Sequence, residues 1–326
     1  MKICIFGAGA IGGLLGAKLS LAGNDVTLIA RGPHLEAIQQ NGLTIIHEET
    51  SRVAHPTAFE NPEDAGPQDY VIITLKAHSV PGIADTIRPL LGPETAVVWG
   101  VNGVPWWYFH ELDGAYKNKR LETVDPGGVQ WNKIGPKRII ASVVYPAAEV
   151  TDYGVINHVE GNRFSLGEPS GEKTDRVQAL AAILVNAGFR APIRPRIRDE
   201  LWLKLWGNLS FNPISALTGS TLEEMCTAPD TRALIRAMML EAQDVGEKIG
   251  VNFPLDVDKR IEGGKSVGAH KTSMLQDLER GRPMEIDALV SAVAEMGTLT
   301  DTPTPTIDAI LALVKMRGRL AGCYDG

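Results

Sequence analysis

The segment Glu200-Leu-Trp-Leu-Lys204-Leu-Trp-Gly-Asn208-Leu-Ser-Phe-Asn212-Pro carries the polar side chains best spaced for chemistry. At about 100° per residue, Lys204, Asn208 and Asn212 fall within an arc of about 80° on one helix. The other faces carry Leu201, Trp202, Leu203, Leu205, Trp206, Leu209 and Phe211. A helix apolar nearly all round is buried. A polar stripe along it must then face a partner, water or a ligand, because unsatisfied buried polar groups are costly. Burial disfavours the charged form of a lysine, which makes its ammonium a better proton donor near neutral pH. The plainer alternative is the solvated edge of a half-exposed helix.

Further candidates follow strand-like runs. Leu75-Lys76-Ala77 ends one such run and Val101-Asn102-Gly103 follows another. In open parallel sheets the carboxyl ends of strands face the ligand crevice, where a lysine and an asparagine can position cofactor and substrate oxygens. Taken singly, each is an ordinary loop residue. In Lys271-Thr-Ser273-Met-Leu-Gln276, the residues Ser273 and Gln276 stand at capping-box spacing. The local pattern favours a cap; the functional alternative is a hydroxyl and free N–H groups holding a carboxylate. Arg282-Pro-Met-Glu285-Ile-Asp287 puts Pro283 and acidic residues in the expected first turn of the next helix, a placement the helix dipole explains. There is no HExxH, EF-hand loop, GxSxG or P-loop, so metal- and serine-hydrolase chemistry lack support.

At the other end of the chain, Gly7-Ala8-Gly9-Ala10-Ile11-Gly12 follows the first apolar run and opens an apolar helix ending near Gly23. Glycines at this spacing serve a tight turn, a close approach to a pyrophosphate, and close helix–sheet packing. The helix N-terminus adds free N–H groups and a positive dipole end. A second run ends in Ala30-Arg31-Gly32. A carboxylate there would suit ribose hydroxyls, whereas a guanidinium pairs with a 2′-phosphate. Arg31 therefore favours NADP(H) over NAD(H); the alternative is a solvent-facing arginine after a strand.

These groups need elements to hold them. Lys2–Phe6, Val26–Ala30, Tyr70–Leu75, Ala96–Trp99, Ile139–Val144 and Val155–Val159 read as strands, and Thr174–Ala187 as an amphipathic helix. Unbroken apolar strands separated by helices predict a parallel sheet covered on both faces. From Arg198 onward the pattern is helical, with helices expected over Asp199–Leu217, Thr231–Ile249, from near Ser273, from Met284 to about Leu299, and over Thr306–Leu320. The fold class is thus α/β. A Rossmann-type parallel-sheet domain over residues 1–195 precedes an all-helical domain over 196–326, with a ligand cleft expected between them.

Bulk properties agree. The chain's 326 residues allow two domains, and 44% hydrophobic with 22% charged residues is an ordinary globular balance. A formal net charge of -7 gives no reason to expect nucleic acid or an anionic membrane as partner. Cys4, Cys226 and Cys323 lie far apart with no CxxC pair, which fits a reducing compartment and argues against a disulfide framework or zinc site. No charged leader precedes the first run and no apolar stretch reaches about 20 residues. The expectation is a cytoplasmic protein working on a small molecule, with a homo-oligomer left open and no metal.

As an ordered set, GAGAIG at 7–12, Arg31, LKA around Lys76, Asn102-Gly103, the Lys204/Asn208/Asn212 helix, SMLQD from Ser273 and EID from Glu285 resemble the ketopantoate reductase (2-dehydropantoate 2-reductase) family, from the first strand to the last helix. The resemblance implies an NADPH-dependent reductase of a 2-oxo acid, ketopantoate to pantoate, in pantothenate biosynthesis. It implies Lys204 as proton donor to the reduced carbonyl, and Asn208, Asn212 and Ser273 as holders of substrate oxygens. Asn102 and Lys76 would bridge substrate and cofactor, Glu285 would lie by both, and Ala148 would touch the nicotinamide side. One departure is the long stretch after Asn102-Gly103, with Trp106-Trp-Tyr-Phe109, Tyr116 and Trp131; it could reshape the cleft mouth or form an oligomer contact. Two alternatives remain: a related NADP-dependent reductase of another 2-oxo or 3-oxo acid, and a nucleotide-binding sensor without turnover.

Overall fold

The computed structural model describes residues 1–325, which form two compact units. The first comprises Met1–Val101, Trp107–Arg120 and Gly127–Ile197; the second comprises Asn102–Trp106, Leu121–Pro126 and the chain from Arg198 onward. The main division of the chain falls between Ile197 and Arg198. The second unit also takes two short pieces of earlier chain that no local pattern announces.

The first unit contains β1 (Lys2–Phe6), α1 (Ala10–Leu21), β2 (Asp25–Ile29), α2 (Gly32–Asn41), β3 (Leu43–His47), β4 (Thr50–Ala54), β5 (Thr57–Phe59), β6 (Gln68–Ile73) and β7 (Leu91–Trp99). After these come α3 (Val129–Lys133), β8 (Ile139–Val144), β9 (Ala147–Asp152), β10 (Val155–Glu160), β11 (Phe164–Gly167) and α4 (Asp175–Asn186). The main sheet has the order β11-β8-β7-β6-β1-β2-β5, parallel throughout except for β11 at the edge. Ile3 on β1 stands opposite Val26 on one side and Tyr70 on the other. Strands buried on both faces need no polar alternation, and Ile3, Ile5, Ile73 and Val97 are all fully buried. The order reverses beside β1, so the chain leaves the carboxyl ends of β1 and β6 at the topological switch point where open α/β sheets bind ligands.

A second sheet, of order β4-β3-β10-β9, lies across α1. A Cβ on Gly16 would meet the Leu28 side chain of β2, and one on Gly13 would meet Ile156 of β10. The helix is apolar on nearly every face because it is packed from both sides. Strands β3, β4, β5, β9 and β11 were not anticipated, nor were the helices α2, α6 (Leu222–Thr227) and α8 (Val257–Lys265). Most of the missed strands are short and polar on one face; β4 is exposed except at Ala54.

The second unit is built on α5 (Ile197–Thr218), α7 (Pro229–Lys248), α9 (Ser273–Glu279), α10 (Ala292–Leu299) and α11 (Pro305–Leu320), with α6 and α8 between them. Trp202 and Trp206 of α5 are fully buried, and the Trp206 indole N–H donates to the Met239 carbonyl of α7 at 2.6 Å. Pro213 sits inside α5 and removes the amide that would bond the Leu209 carbonyl. The helix expected from Met284 begins later, as a π-helical turn at Asp287–Ser291 leading into α10. Pro283 and Glu285 therefore precede it, outside any helix or strand, where the Met284 amide donates to the Cys323 carbonyl at 2.9 Å. The residues Trp106, Trp107, Tyr108 and Phe109 are buried, so their rings are core and not an oligomer surface. Among the described residues no helix is long and apolar enough to cross a membrane, and no group of His, Cys, Asp and Glu is placed to hold a metal.

Candidate active site

In the first unit, β1 ends at Phe6 and the chain turns through Gly7 at φ 106°, a conformation that L side chains rarely adopt. A Cβ on Gly12 would overlap the Gly7 carbonyl, so the turn and the first helical turn close only without one. The loop carbonyls are tied down. Thr74 Oγ donates to the Gly7 carbonyl at 2.7 Å, and His34 Nε2 contacts the Ala8 carbonyl at 2.8 Å. The Gly154 amide donates to His34 Nδ1 at 3.1 Å, which makes Nδ1 the acceptor and Nε2 the protonated donor. The α1 N-terminus at Gly9 has no side-chain cap and no acidic residue in its first turn. The amides of Ala10, Ile11 and Gly12 are the first of the helix and have no intrahelical acceptor, and a Cβ on Gly9 would meet nothing within 4 Å. This cradle fits a diphosphate and would be filled by any larger residue at position 9.

Arg31 follows β2, carries the N-cap backbone of α2, and is exposed with no ion pair to a described residue. Lys76, half-buried, follows β6 and caps a short 3-10 turn at Ala77–Ser79. Ala148 lies on β9 opposite His158, packed against the core around α1. All of these belong to the first unit.

The second unit gathers another set. Gly103, at φ 85°, lies so close to the π-helical turn that a Cβ would meet the Ala288 carbonyl at 2.5 Å. That carbonyl accepts the Val104 amide at 2.7 Å, which pins the Asn102 turn beside the stretch carrying Glu285. Lys204 Nζ, from α5, donates to Asn102 Oδ1 at 2.7 Å. Burial lowers the Lys204 pKa from 10.5 to about 8, and the nearby Glu285 carboxylate opposes that fall. Glu285 is itself 5% exposed. A lysine whose proton is loosely held, aligned by an amide oxygen and next to a carboxylate, is suited to deliver a proton to an oxygen gaining charge. Asn208 is half-buried and Asn212 buried on the same stripe, and among the described residues neither amide has a side-chain hydrogen bond.

Ser273 differs from its expected local role. The cap of α9 is Thr272, whose hydroxyl accepts from the Leu275 amide at 3.3 Å, while Ser273 is the exposed first helical residue. Gln276 completes no capping box and donates instead to the Lys271 carbonyl at 3.0 Å. The loop-holding pair Thr74 and His34 escaped sequence reasoning. Thr74 stood in the strand-ending run already noted, but His34 acts through Gly154, far away in sequence.

Residues 3–171 match the family described as Ketopantoate reductase PanE/ApbA, and residues 196–318 match its C-terminal part. The chain belongs to the ketopantoate reductase family. It is an oxidoreductase of that family, nicotinamide-dependent and acting on a CH–OH group. A 2-dehydropantoate 2-reductase of Mesorhizobium japonicum is 62% identical over 326 residues, the whole of both chains. A crystal structure from Ralstonia solanacearum MolK2 is 39% identical with a TM-score of 0.95, covering 99% of each chain. The 2-dehydropantoate 2-reductase of Geobacter metallireducens is 28% identical with a TM-score of 0.85, covering 97% of this chain and 99% of that one. The family fold, a Rossmann-like parallel-sheet domain with a helical C-terminal domain, is the α/β class expected from the sequence.

Proposed function

We propose that this reductase converts ketopantoate to pantoate with NADPH, a step of pantothenate biosynthesis in the cytoplasm. The observation that carries the mechanism is Lys204, lowered to a pKa of about 8 and held at 2.7 Å on Asn102. The substrate follows from the 62% identical relative named as a 2-dehydropantoate 2-reductase.

In this reading the first unit holds the cofactor. The Gly7–Gly12 loop binds the diphosphate through its free amides, and Arg31 pairs with the 2′-phosphate. Lys76 and Ala148 supply further contacts toward ribose and nicotinamide. When bound, NADPH supplies the hydride that reduces the C2 carbonyl of the oxo acid. Lys204 holds its proton toward the carbonyl oxygen, stabilises the charge that grows there and then transfers the proton to it. Asn102 keeps the ammonium aimed. Glu285 holds the lysine more protonated than burial alone would. Asn208 and Asn212, one and two turns along α5, orient the substrate oxygens without competing for the proton. Ser273 with the first amides of α9 takes the carboxylate. A sensor without turnover would have no use for a desolvated proton donor.

A direct test is genetic. A bacterial strain that lacks ketopantoate reduction, and so requires added pantoate, should grow without it when it expresses this chain. Failure to grow, with the protein present and folded, would count against ketopantoate as substrate.

A further inference from the structure

We propose that the first unit carries a second ligand site, separate from the cofactor loop, for an organic phosphate about the size of a nucleoside monophosphate. The stretch after Asn102-Gly103, which the proposed reaction leaves without a role, supplies much of its wall. A cavity of about 960 Å³ is lined by Pro93–Thr95, by the Gly135–Arg138 segment leading into β8, and by Arg120 and Trp131. These segments stand at the amino ends of β7 and β8, whereas the Gly7–Gly12 loop follows the carboxyl end of β1. The strands are parallel, so the cavity and the cofactor loop lie at opposite ends of the strands.

The cations of this cavity are of two kinds. Arg176 is spent on buried Glu168, at 2.6 Å. Arg138 is fixed in place but not neutralised, since its Nη1 donates only to the carbonyls of Gly92, Pro93 and Thr95 at 2.7, 3.2 and 3.1 Å. Lys137 is exposed and makes no ion pair with a described residue. The Arg120 guanidinium lies over the Trp131 ring, 5.5 Å from its centroid, and the His110 ring meets that indole edge-on at 5.8 Å. Beyond the Arg176 pair, Arg120, Lys137 and Arg138 thus line the cavity, with Glu94 in its wall and Glu111 beside His110. In a chain of formal net charge -7, such a local excess of positive charge marks an anion site. The volume falls in the range that holds metabolite-sized ligands, and inorganic phosphate alone would leave most of it empty. The Arg120 guanidinium, itself laid flat on the Trp131 indole, offers its outer face to a flat ring carried on the same molecule as the phosphate.

The test uses calorimetric titration of the full chain with NADPH kept saturating, so that the cofactor loop is occupied. The probes are uridine 5′-monophosphate, uridine and inorganic phosphate. The proposal expects one uridine 5′-monophosphate bound per chain, inorganic phosphate bound much more weakly, and no heat from uridine. Lys137→Glu and Arg120→Ala should each weaken uridine 5′-monophosphate at least about tenfold, because each removes a charge-assisted contact. Both variants should keep the wild-type kcat for oxo-acid reduction. Nucleotide heat seen only without NADPH, equal affinity in wild type and both variants, or inorganic phosphate binding as tightly as the nucleotide would each overturn the proposal. The last result would mean an adventitious anion only.

Discussion

Changing pH tests Lys204 without altering the protein. With a pKa of about 8, the ammonium is about 90% populated at pH 7 and about 10% populated at pH 9. If it delivers the proton, kcat/KM for the oxo acid should fall about tenfold between those two values and keep falling above them. An ordinary lysine, at about 10.4, would leave the rate flat over the same range. The Glu285 carboxylate raises the Lys204 value, so Glu285→Gln should move the falling limb to lower pH. Asn102→Ala removes the 2.7 Å partner that aims Nζ and should lower kcat without abolishing NADPH binding. Lys204→Ala should lower kcat by ~10²–10⁴ and erase the limb altogether. The assay is initial-rate NADPH oxidation from pH 6 to 10 with wild type and each variant. A wild-type profile flat to pH 10, or a Lys204→Ala enzyme retaining the limb, would refute the reasoning.

Three further outcomes are expected. Arg31→Ala should weaken NADPH by about tenfold to a hundredfold, the worth of ~1.5–3 kcal/mol in a charge-assisted contact, and leave NADH nearly unchanged in equilibrium titrations. Ser273→Ala should raise KM for the oxo acid with no loss in thermal melts, because the α9 cap is Thr272; Thr272→Ala should instead cost ~1 kcal/mol of stability. Lys204 also bears on stability, since its folded pKa of about 8 lies below the unfolded value. Between about pH 8 and 10.4 the unfolded chain holds more protons, so stability rises with pH through that window. Below it, the charged lysine costs about 3 kcal/mol, offset in part by its bond to Asn102. Urea melts should therefore find wild type gaining stability between about pH 8 and 10, a gain that Lys204→Met lacks.

Local pattern reached the parts of the site that lie on single elements. The Gly7–Gly12 turn and the α5 stripe each declare themselves within one strand–turn–helix or one helix, where glycine spacing and helical period act directly. Contacts that join distant chain did not declare themselves. Nothing near Asn102 says that Lys204 will bond it, and nothing near His34 says that Gly154 will set its tautomer. The pattern places the α9 cap one residue late, because Thr272 and Ser273 are adjacent hydroxyl residues at the start of the same helix. The backbone decides, and Thr272 at φ -64°, ψ 157° has the extended geometry of a cap. The pattern places Glu285 inside a helix, but the chain there is outside one, its Met284 amide bonded to the Cys323 carbonyl from the far end of the sequence. The β3–β4 hairpin was missed because β4 buries only Ala54, which leaves no apolar alternation to detect.

The central claim, reduction of ketopantoate with NADPH, is tested most directly by kcat/KM on a panel of oxo acids. The panel should set ketopantoate beside 2-oxoisovalerate, 2-oxoisocaproate and phenylglyoxylate at one NADPH concentration. Ketopantoate should lead with kcat/KM of at least about 10⁴ M⁻¹s⁻¹. It should exceed 2-oxoisovalerate, which lacks the hydroxymethyl group, by at least about tenfold. A higher kcat/KM for any other acid on the panel, or no NADPH oxidation with ketopantoate, would contradict the account.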